Sequence, residues 1–334
     1  MGTANKMKAL IQEKPGDEIF LKEVPVPEPG PGEVLVKMHF SPVNFSDFSL
    51  LQGKYTDNKQ YPLIPGAEGS GIVVKSGQGI IAGLRKGKRV ACTASENKGG
   101  TWAEFMVTSA ARTMPLGKKI DDEQGAMLLV NPLTALALIE LAVKNKQTAI
   151  VNNAAASSLG KMLIYLCKKY GITLINIVTR ESQANTIKEQ GAEYILKSSS
   201  PDFDKELAFW SERLNARLFF DAVGGEQAEI MLRTSPPGST IINYAKLSEQ
   251  NISLDPRLLL RENKKVQGFY LGNYVSERTL LQNLRTVGKV KDLLSNHIKI
   301  NISARYSFDR LNEALDYYRR NMSAGKVLLY PKTE

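Results

Sequence analysis

The residues with the clearest chemical signature lie in the segment 148–180, where an apolar strand, a tight turn, a helix and a second apolar strand follow in order. Ala155, Ser157 and Gly160 occupy the three positions that glycines hold in the pattern G-x-G-x-x-G. Small residues allow a tight turn, and the final glycine lets the helix pack closely on the strand. A unit of this length is typical of dinucleotide binding. The turn residues that we expect to line the cofactor are Ala155, Ala156, Ser157, Ser158, Leu159 and Gly160.

Arg180 ends the second strand of this unit, at the position where an NAD-binding unit places an acid against the ribose 2′-hydroxyl. A guanidinium pairs bidentately with a 2′-phosphate, and Thr179 offers a hydroxyl beside it. The alternative interpretation is a solvated arginine at a strand end. The residue types therefore predict NADPH rather than NADH as the cofactor.

Length and composition indicate an ordinary globular protein. The chain has 334 residues, 43% of them hydrophobic and 23% charged, which favours two domains. The net charge of +10 is spread along the chain, and basic residues do not interleave with aromatic ones, so we expect no nucleic-acid partner. The sequence contains no apolar run of transmembrane length and no signal-peptide pattern. We therefore expect a soluble cytoplasmic protein without a membrane partner.

The two cysteines, Cys92 and Cys167, follow apolar patterns that predict core positions. Neither belongs to a C-x-x-C pair, and the chain has only two histidines. We therefore predict no Cys/His metal site and no disulfide framework.

The order of predicted elements indicates an α/β protein with a β-rich amino-terminal part. Residues 7–120 contain short alternating strands broken by Pro and Gly, which is typical of a compact barrel. A helix over 123–143, interrupted at Pro132, then leads into alternating strands and helices, the pattern of a doubly wound parallel sheet. We predict its strands at 149–151, 173–178, 194–196, 217–220, 240–243 and 265–269. The remaining predictions are a helix over 276–295 with a break at Gly288, a helix over 308–318 and a strand over 326–330.

Short motifs are distributed along the whole chain from Met7 onwards: GEVLVKM (32–38), PVNFSDFSLLQGKY (42–55), PGAEGSGIV (65–73), GKRV (87–90), GTWAEFM (100–106), NPLTA (131–135), AAASSLG (154–160), FDAVGG (220–225), GFYLG (268–272) and GKVLL (325–329). Through these motifs the chain resembles the medium-chain dehydrogenase/reductase superfamily. Within the superfamily the chain looks most like the zinc-free quinone oxidoreductases and the mitochondrial-type 2-enoyl thioester reductases. The resemblance implies a GroES-like catalytic domain over 1–121, a Rossmann NADPH-binding domain over 122–271 and a return to the catalytic domain over 272–334.

The resemblance also bears on metal chemistry. Zinc-dependent members place a cysteine where Asn44 stands, a histidine where Ala67 stands and a third ligand near Asn131. An amide and a methyl group cannot replace thiolate and imidazole at tetrahedral zinc. Hydride must then go to an acceptor that is already activated, such as a quinone or a conjugated C=C–C=O group.

Tyr55 matches the tyrosine that the enoyl reductases use, and we predict that it donates a proton to the substrate. A loop tyrosine without a catalytic role is the alternative, and Tyr61 is a competing candidate outside the matched motif. For a quinone acceptor, water can supply the proton instead.

The resemblance implies further cofactor contacts by motif position. Each of them has a plainer structural explanation, as a turn cap, a helix start, a turn glycine, a core edge or a solvated lysine. Asp47 and Glu68 resemble superfamily carboxylates, and we interpret both as structural. The further cofactor-binding residues are Asn44, Asn131, Thr134, Gly224, Gly225, Tyr244, Ala245, Phe269, Tyr270 and Lys326.

Together these features predict a zinc-independent, NADPH-dependent oxidoreductase that acts on a quinone or an activated α,β-unsaturated carbonyl compound. One alternative is a 2-enoyl thioester reductase. An alternative of another class is a non-catalytic NADP-binding sensor or subunit. By resemblance we expect a homodimer that joins along the strand 265–269.

Overall fold

A computed structural model describes residues 5–54, 60–95, 98–248 and 250–332. Its strands are β1 (Lys6–Gln12), β2 (Ile19–Pro25), β3 (Glu33–Pro42), β4 (Glu68–Ser76), β5 (Arg89–Thr93), β6 (Phe105–Ser109), β7 (Thr113–Pro115), β8 (Ala149–Asn152), β9 (Thr173–Val178), β10 (Tyr194–Lys197), β11 (Leu218–Asp221), β12 (Thr240–Asn243), β13 (Lys265–Gly268), β14 (Ile302–Ser307) and β15 (Lys326–Tyr330). Its helices are α1 (Phe45–Leu51), α2 (Ile80–Arg85), α3 (Asp122–Ala126), α4 (Asn131–Lys144), α5 (Ser158–Tyr170), α6 (Glu181–Lys188), α7 (Phe203–Arg213), α8 (Gly225–Thr234), α9 (Pro256–Glu262), α10 (Leu271–Ser276), α11 (Leu280–Asn296) and α12 (Leu311–Arg320).

The chain folds into two compact units. The first, unit 1, comprises Met1–Asn131 and Val287–Glu334, and the second, unit 2, comprises Pro132–Thr286. The boundaries expected from the sequence, 121/122 and 271/272, lie earlier in the chain. The functions assigned to those domains stay predictions.

Unit 2 is built on a six-stranded parallel sheet with the order β10-β9-β8-β11-β12-β13. This order is the doubly wound arrangement in which the connections reverse direction between β8 and β11. All four residues of β8 are buried, as expected of a central parallel strand. Ala149 and Val151 of this strand share one core cluster with Ile175, Phe219 and Ile241 from the neighbouring strands. The predicted doubly wound sheet is confirmed.

Helix α5 shows how local sequence sets the ends of an element beside the cofactor turn. The Ser157 side chain caps the helix, since its Oγ accepts a hydrogen bond from the Gly160 N–H at 3.0 Å. Gly171 ends the helix in the left-handed conformation, with φ 66°. The buried face of the helix includes Met162 and Leu166. The helix therefore begins directly after the turn that the sequence assigned to the diphosphate.

Unit 1 contains a seven-stranded sheet in which β14-β15-β3-β4-β5-β7 are neighbours and β6 also pairs with β3. Strands β1 and β2 form a separate antiparallel pair. Only β14 and β15 run parallel, and the other pairs in the larger sheet are antiparallel. One buried cluster includes Trp102, Phe308 and Leu329, so the carboxyl-terminal return packs in the same core as the β-rich part.

One detail of the sequence prediction is wrong. Helix α11 starts at Leu280 and runs through Gly288 without a break, because Val290 and Leu293 on the following turns are buried. A helical glycine costs only about 1 kcal/mol, which such packing exceeds. Residues 272–286 group with unit 2. They are held there by Arg278, which pairs with Glu140 of α4 at 2.8 Å.

The remaining predicted elements are confirmed. The helix around 123–143 is divided before Pro132 into α3 and α4, and the carboxyl-terminal helix and strand are present as α12 and β15. Over the described ranges, no helix is both long enough and apolar enough to cross a membrane.

Candidate active site

At the carboxyl edge of the unit 2 sheet, the buried Asp221 joins the ends of three neighbouring strands. It accepts hydrogen bonds from Asn153 Nδ2, after β8, at 2.5 Å and from Asn243 Nδ2, in β12, at 2.7 Å. It also accepts from the backbone N–H groups of Val223 and Gly224, each at 3.0 Å. The carboxyl edge of such a sheet is where ligands gather in this type of fold.

The turn between β8 and α5 is packed tightly. A Cβ atom added at Gly160 would lie 2.4 Å from the Ala155 carbonyl oxygen, so only glycine fits. Ala154 has φ 49°, a conformation that non-glycine residues seldom adopt. Because Ser157 Oγ accepts from Gly160, its hydroxyl hydrogen is left to donate to another acceptor. Ala155, Ala156 and Leu159 are buried in this turn, and Ser158 is half-buried.

Two polar atoms at the same edge are buried without a hydrogen-bond partner in the part of the chain that the structure describes. They are Asn152 Nδ2 and Ser248 Oγ. Tyr244 donates from its hydroxyl to Asn152 Oδ1 at 3.2 Å, and burial, with the nearby Asp221 charge, raises the pKa of this tyrosine. A Cβ atom added at Gly225 would lie 2.9 Å from Ser248 Oγ. The predicted Gly224–Gly225 turn therefore adjoins a polar group that a ligand could satisfy.

Arg180 and Thr179 follow β9, and their backbone N–H groups donate to Gln183 Oε1 at 3.1 Å and 3.0 Å. The Arg180 side chain is exposed and forms no ion pair with any other described residue. The adjacent carboxylate, Glu181, is paired with Lys197 at 2.7 Å. The end of β9 therefore presents a cation whose nearest acidic neighbour along the chain is already neutralised.

In unit 1, Asn44, Glu68 and Lys326 form a buried chain of hydrogen bonds. Lys326 Nζ donates to Asn44 Oδ1, and Asn44 Nδ2 donates to Glu68 Oε1 at 3.2 Å. Glu68 Oε2 accepts from the backbone N–H groups of Leu129 and Val130 at 3.0 Å and 2.9 Å. The amide of Asn44 is thus held in one orientation, with its oxygen towards the ammonium group and its nitrogen towards the carboxylate.

Asp47 adds a second carboxylate to this cluster and accepts from the Asn44 backbone N–H at 2.7 Å. Burial raises its pKa to about 7, against the opposing effects of that hydrogen bond and of Lys326. Burial likewise raises the pKa of Glu68 and lowers that of Lys326, while their mutual attraction opposes both shifts. One cation lies near two carboxylates, and burial makes Asp47 hold its proton more tightly than an exposed aspartate does.

The donor set around Asn44 does not fit zinc. Its side-chain oxygen already accepts from an ammonium group, and its nitrogen is a donor. Cys92 is fully buried, burial raises the pKa of its thiol, and its Sγ lies 3.5 Å from the Gly69 carbonyl oxygen. Among the residues placed by the structure, no group of three or more His, Cys, Asp or Glu side chains could hold a metal ion.

The other predicted site residues are placed as follows. Asn131 and Thr134 lie in the first turn of α4, where Thr134 is buried. Phe269 and Tyr270 follow β13, with Phe269 5.9 Å from the ring of Tyr274 and Tyr270 52% exposed. Tyr55 lies outside the described residues, so its role stays a prediction.

Comparison with known proteins identifies the family. Residues 30–118 match the Alcohol dehydrogenase GroES-like domain, and residues 158–287 match the Zinc-binding dehydrogenase domain. The mitochondrial enoyl-acyl-carrier-protein reductase of Xenopus tropicalis is 29% identical over 294 residues, 86% of this chain and 83% of that protein. The chain belongs to the medium-chain dehydrogenase/reductase superfamily. It lies in the zinc-free branch and is an oxidoreductase of the medium-chain type.

Solved structures of medium-chain reductases share this architecture. A candidate NADPH:quinone reductase from Mesorhizobium loti is 28% identical, with a TM-score of 0.90 over 99% of this chain and 100% of that one. A mycobacterial protein solved in complex with NADPH has a TM-score of 0.84 at 23% identity, over 97% of this chain and 100% of that chain. The second likeness concerns the fold alone.

The sequence prediction placed Asn243 at this edge but missed Asn153 and Asp221 as residues that shape the site. Each lies at the carboxyl end of a buried strand of the medium-chain reductase sheet, and that repeated position was the available signal. Their roles became apparent only from hydrogen bonds between residues far apart in sequence.

Proposed function

We propose that this medium-chain reductase transfers hydride from NADPH to a quinone or to an activated α,β-unsaturated carbonyl compound. The observation that carries the proposal is the Asn44 amide, which stands at the family's metal-ligand position and is held by Lys326 and Glu68. A second hydrogen on Asn44 Nδ2 is left to donate. Such a fixed donor suits an acceptor oxygen that gains negative charge during reduction.

The side chain of Arg180 supports NADPH over NADH. It is exposed at the end of β9, where the adenosine ribose lies in related dinucleotide folds, and Lys197 neutralises the neighbouring Glu181. A free guanidinium there can pair with the charged 2′-phosphate of NADPH. Its interaction with the uncharged 2′-hydroxyl of NADH would be much weaker.

The cofactor, when bound, supplies the hydride. Ser157 and Ser158 would bind its diphosphate at the start of α5, where the positive end of the helix dipole favours anions. Ser248 Oγ and the Gly224–Gly225 turn would contact the nicotinamide ribose. Tyr55 would give its proton to the α-carbon of an enoyl substrate.

A direct test is to follow loss of NADPH absorbance with 1,4-benzoquinone and, separately, with crotonyl-CoA. Turnover of the quinone supports the proposal. Turnover of crotonyl-CoA alone would favour the second candidate, a 2-enoyl thioester reductase, which the Xenopus relative supports. In that case Tyr55→Phe should slow enoyl reduction, and an unchanged rate would remove Tyr55 from the mechanism. NADPH binding without turnover of either compound would leave a non-catalytic sensor or subunit.

The cofactor preference has its own test. Arg180→Asp should weaken NADPH binding by roughly 10- to 100-fold, the effect of one or two lost charge-assisted hydrogen bonds, and leave NADH binding nearly unchanged. Arg213→Asp, an exposed arginine on α7, is the matched control. Equal losses for both cofactors would disprove the phosphate assignment.

We also propose a homodimer that joins two β13 strands. This strand ends the unit 2 sheet, and three of its four residues are exposed. The N–H groups of Lys265 and Phe269 donate inward, to Ser239 and Asn243, so alternation directs that of Gly268 outward. Gly268→Pro should therefore yield a monomer in light scattering after gel filtration without loss of circular dichroism. A dimer that survives this change would refute the proposed edge.

We place the protein in the cytoplasm as a proposal, in keeping with its lack of a membrane-spanning helix over the described ranges. Fractionation of cells with organelle markers tests it. Recovery with mitochondria, where enoyl reductase relatives reside, would overturn it.

A further inference from the structure

Helix α2 carries its large apolar side chains on the outside. Ile80, Ile81 and Leu84 are 83%, 49% and 65% exposed, while the small Ala82 is 1% exposed and forms the buried contact of the helix. A surface helix normally buries its large apolar residues. Gly83 meets open space as well, since no atom lies within 4 Å of a Cβ atom added there. The helix therefore presents an apolar tip that unit 1 does not cover.

The chain around this tip is strongly basic. From residue 69 to residue 95 it has five Lys or Arg residues and no Asp or Glu. Lys75 pairs with Glu28 and Arg89 pairs with Asp122. The other three cations of the segment, Arg85, Lys86 and Lys88, form no ion pair with other residues in the described ranges.

A further cation comes from a neighbouring element. The short 3-10 turn Ala110–Arg112 contacts α2, and the Arg112 side chain is exposed. Its guanidinium donates to the Ala94 carbonyl oxygen at 3.2 Å and is not paired with a carboxylate of the described chain. The apolar tip is therefore flanked by positive charge from two elements.

We propose that this surface, formed by α2 and its flanking cations, docks on an anionic lipid membrane. Exposed aliphatic side chains beside lysines and arginines are the features with which an amphipathic helix enters the headgroup region. A second copy of the chain would bring one positive surface against another, which is unfavourable. An acidic protein partner would need a shape matched to a projecting tip, whereas a membrane surface needs none. The expectation of no membrane partner rested on the absence of a spanning segment, and surface docking does not require one.

The proposal is independent of the catalytic activity, and vesicle sedimentation tests it. The full-length protein should sediment with phosphatidylcholine vesicles containing 30% phosphatidylserine at 0.1 M salt, roughly the physiological range, and much less with pure phosphatidylcholine. Ile80→Asp with Leu84→Asp should weaken this binding at least about tenfold, because two inserted aliphatic side chains are lost. Lys86→Glu with Lys88→Glu should weaken it at least about fivefold for each cation removed.

Matched controls place the effect on this surface. Leu260→Asp changes an 82% exposed leucine in α9 of unit 2, and Lys168→Glu with Lys188→Glu makes the same charge change elsewhere. Both controls should bind vesicles like the unaltered protein. NADPH turnover should be unchanged in every variant, which also shows that each one folds. Absence of sedimentation with anionic vesicles, equal losses in the controls, or binding to polyglutamate in place of vesicles would overturn the proposal.

Discussion

Asp47→Asn should change the stability of unit 1 by an amount that depends on pH. The free energy of unfolding of the variant minus that of the unaltered protein should be more positive at alkaline pH than at acidic pH. The folded pKa of Asp47 is about 7, above its ordinary value of 3.8, so the folded protein binds the proton more tightly than the unfolded chain. The stability that this group contributes is therefore fully present below about pH 4 and is lost as the pH rises through 7. Asparagine can still accept the hydrogen bond from the Asn44 backbone N–H.

The magnitude follows from the shift of the pKa. At about 1.4 kcal/mol for each pH unit, the difference between the folded and unfolded pKa values of Asp47 lowers the free energy of unfolding, relative to the fully protonated group, by about 4 kcal/mol at pH 8 and about 2 kcal/mol at pH 5. The attraction between ionised Asp47 and Lys326 is already contained in the folded pKa of about 7, so it adds no separate contribution. The change in the difference between the two proteins, about 2–3 kcal/mol from pH 5 to pH 8, is therefore the quantity to measure.

The two tryptophans make the assay specific to one unit. Trp102 is fully buried in unit 1, and Trp210 lies in α7 of unit 2. In a Trp210→Phe background, urea unfolding followed by tryptophan fluorescence reports unit 1 alone. Asp316→Asn, an exposed aspartate of α12, is the control and should show almost no pH-dependent difference. If the stability difference for Asp47→Asn is the same at pH 5 and pH 8, the account of this buried cluster is refuted.

Three further outcomes follow from packing. Gly288→Ala should raise the free energy of unfolding in urea by about 0.5–1 kcal/mol, because α11 has open space for a Cβ atom there. A lower free energy of unfolding would mean that neighbouring atoms leave no room for the methyl group. Cys92 and Cys167 are buried, with the pKa of Cys167 raised to about 12, so dithionitrobenzoate at pH 8 should modify neither before unfolding. Arg278→Met should remove the ion pair with Glu140 and speed hydrogen exchange over residues 271–279; unchanged exchange would mean that this pair does not anchor the segment.

The parallel sheet of unit 2 could be predicted nearly residue by residue. Its strands are short apolar runs separated by helices of regular period, and both patterns are local in sequence. The division before Pro132 could be predicted for the same reason, since proline restricts the residue before it. The break at Gly288 was wrong because local propensity opposed tertiary packing, and the packing of α11 prevailed.

The candidate site was less accessible to prediction. The turn 155–160 and the residues after each strand could be placed from their positions in the sequence. The chain from Lys326 through Asn44 to Glu68 could not, because it joins residues up to 282 positions apart. Lys326 was expected to contact the cofactor, and the structure adds a buried role for it beside Asn44. A local sequence pattern cannot predict that the ammonium group of Lys326 will orient the amide of Asn44, which is far away in the sequence.

The carboxylate of Asp221 already joins the carboxyl ends of β8, β11 and β12 to one another. A ligand that binds among them would restrict little further motion, so little conformational entropy would oppose its binding. Affinity for every ligand at this edge then depends on one shared anchor. Loss of the Asp221 hydrogen bonds would lower the affinity for tightly and weakly binding ligands alike. Selectivity among these ligands would have to arise from side chains that do not belong to this hydrogen-bond cluster.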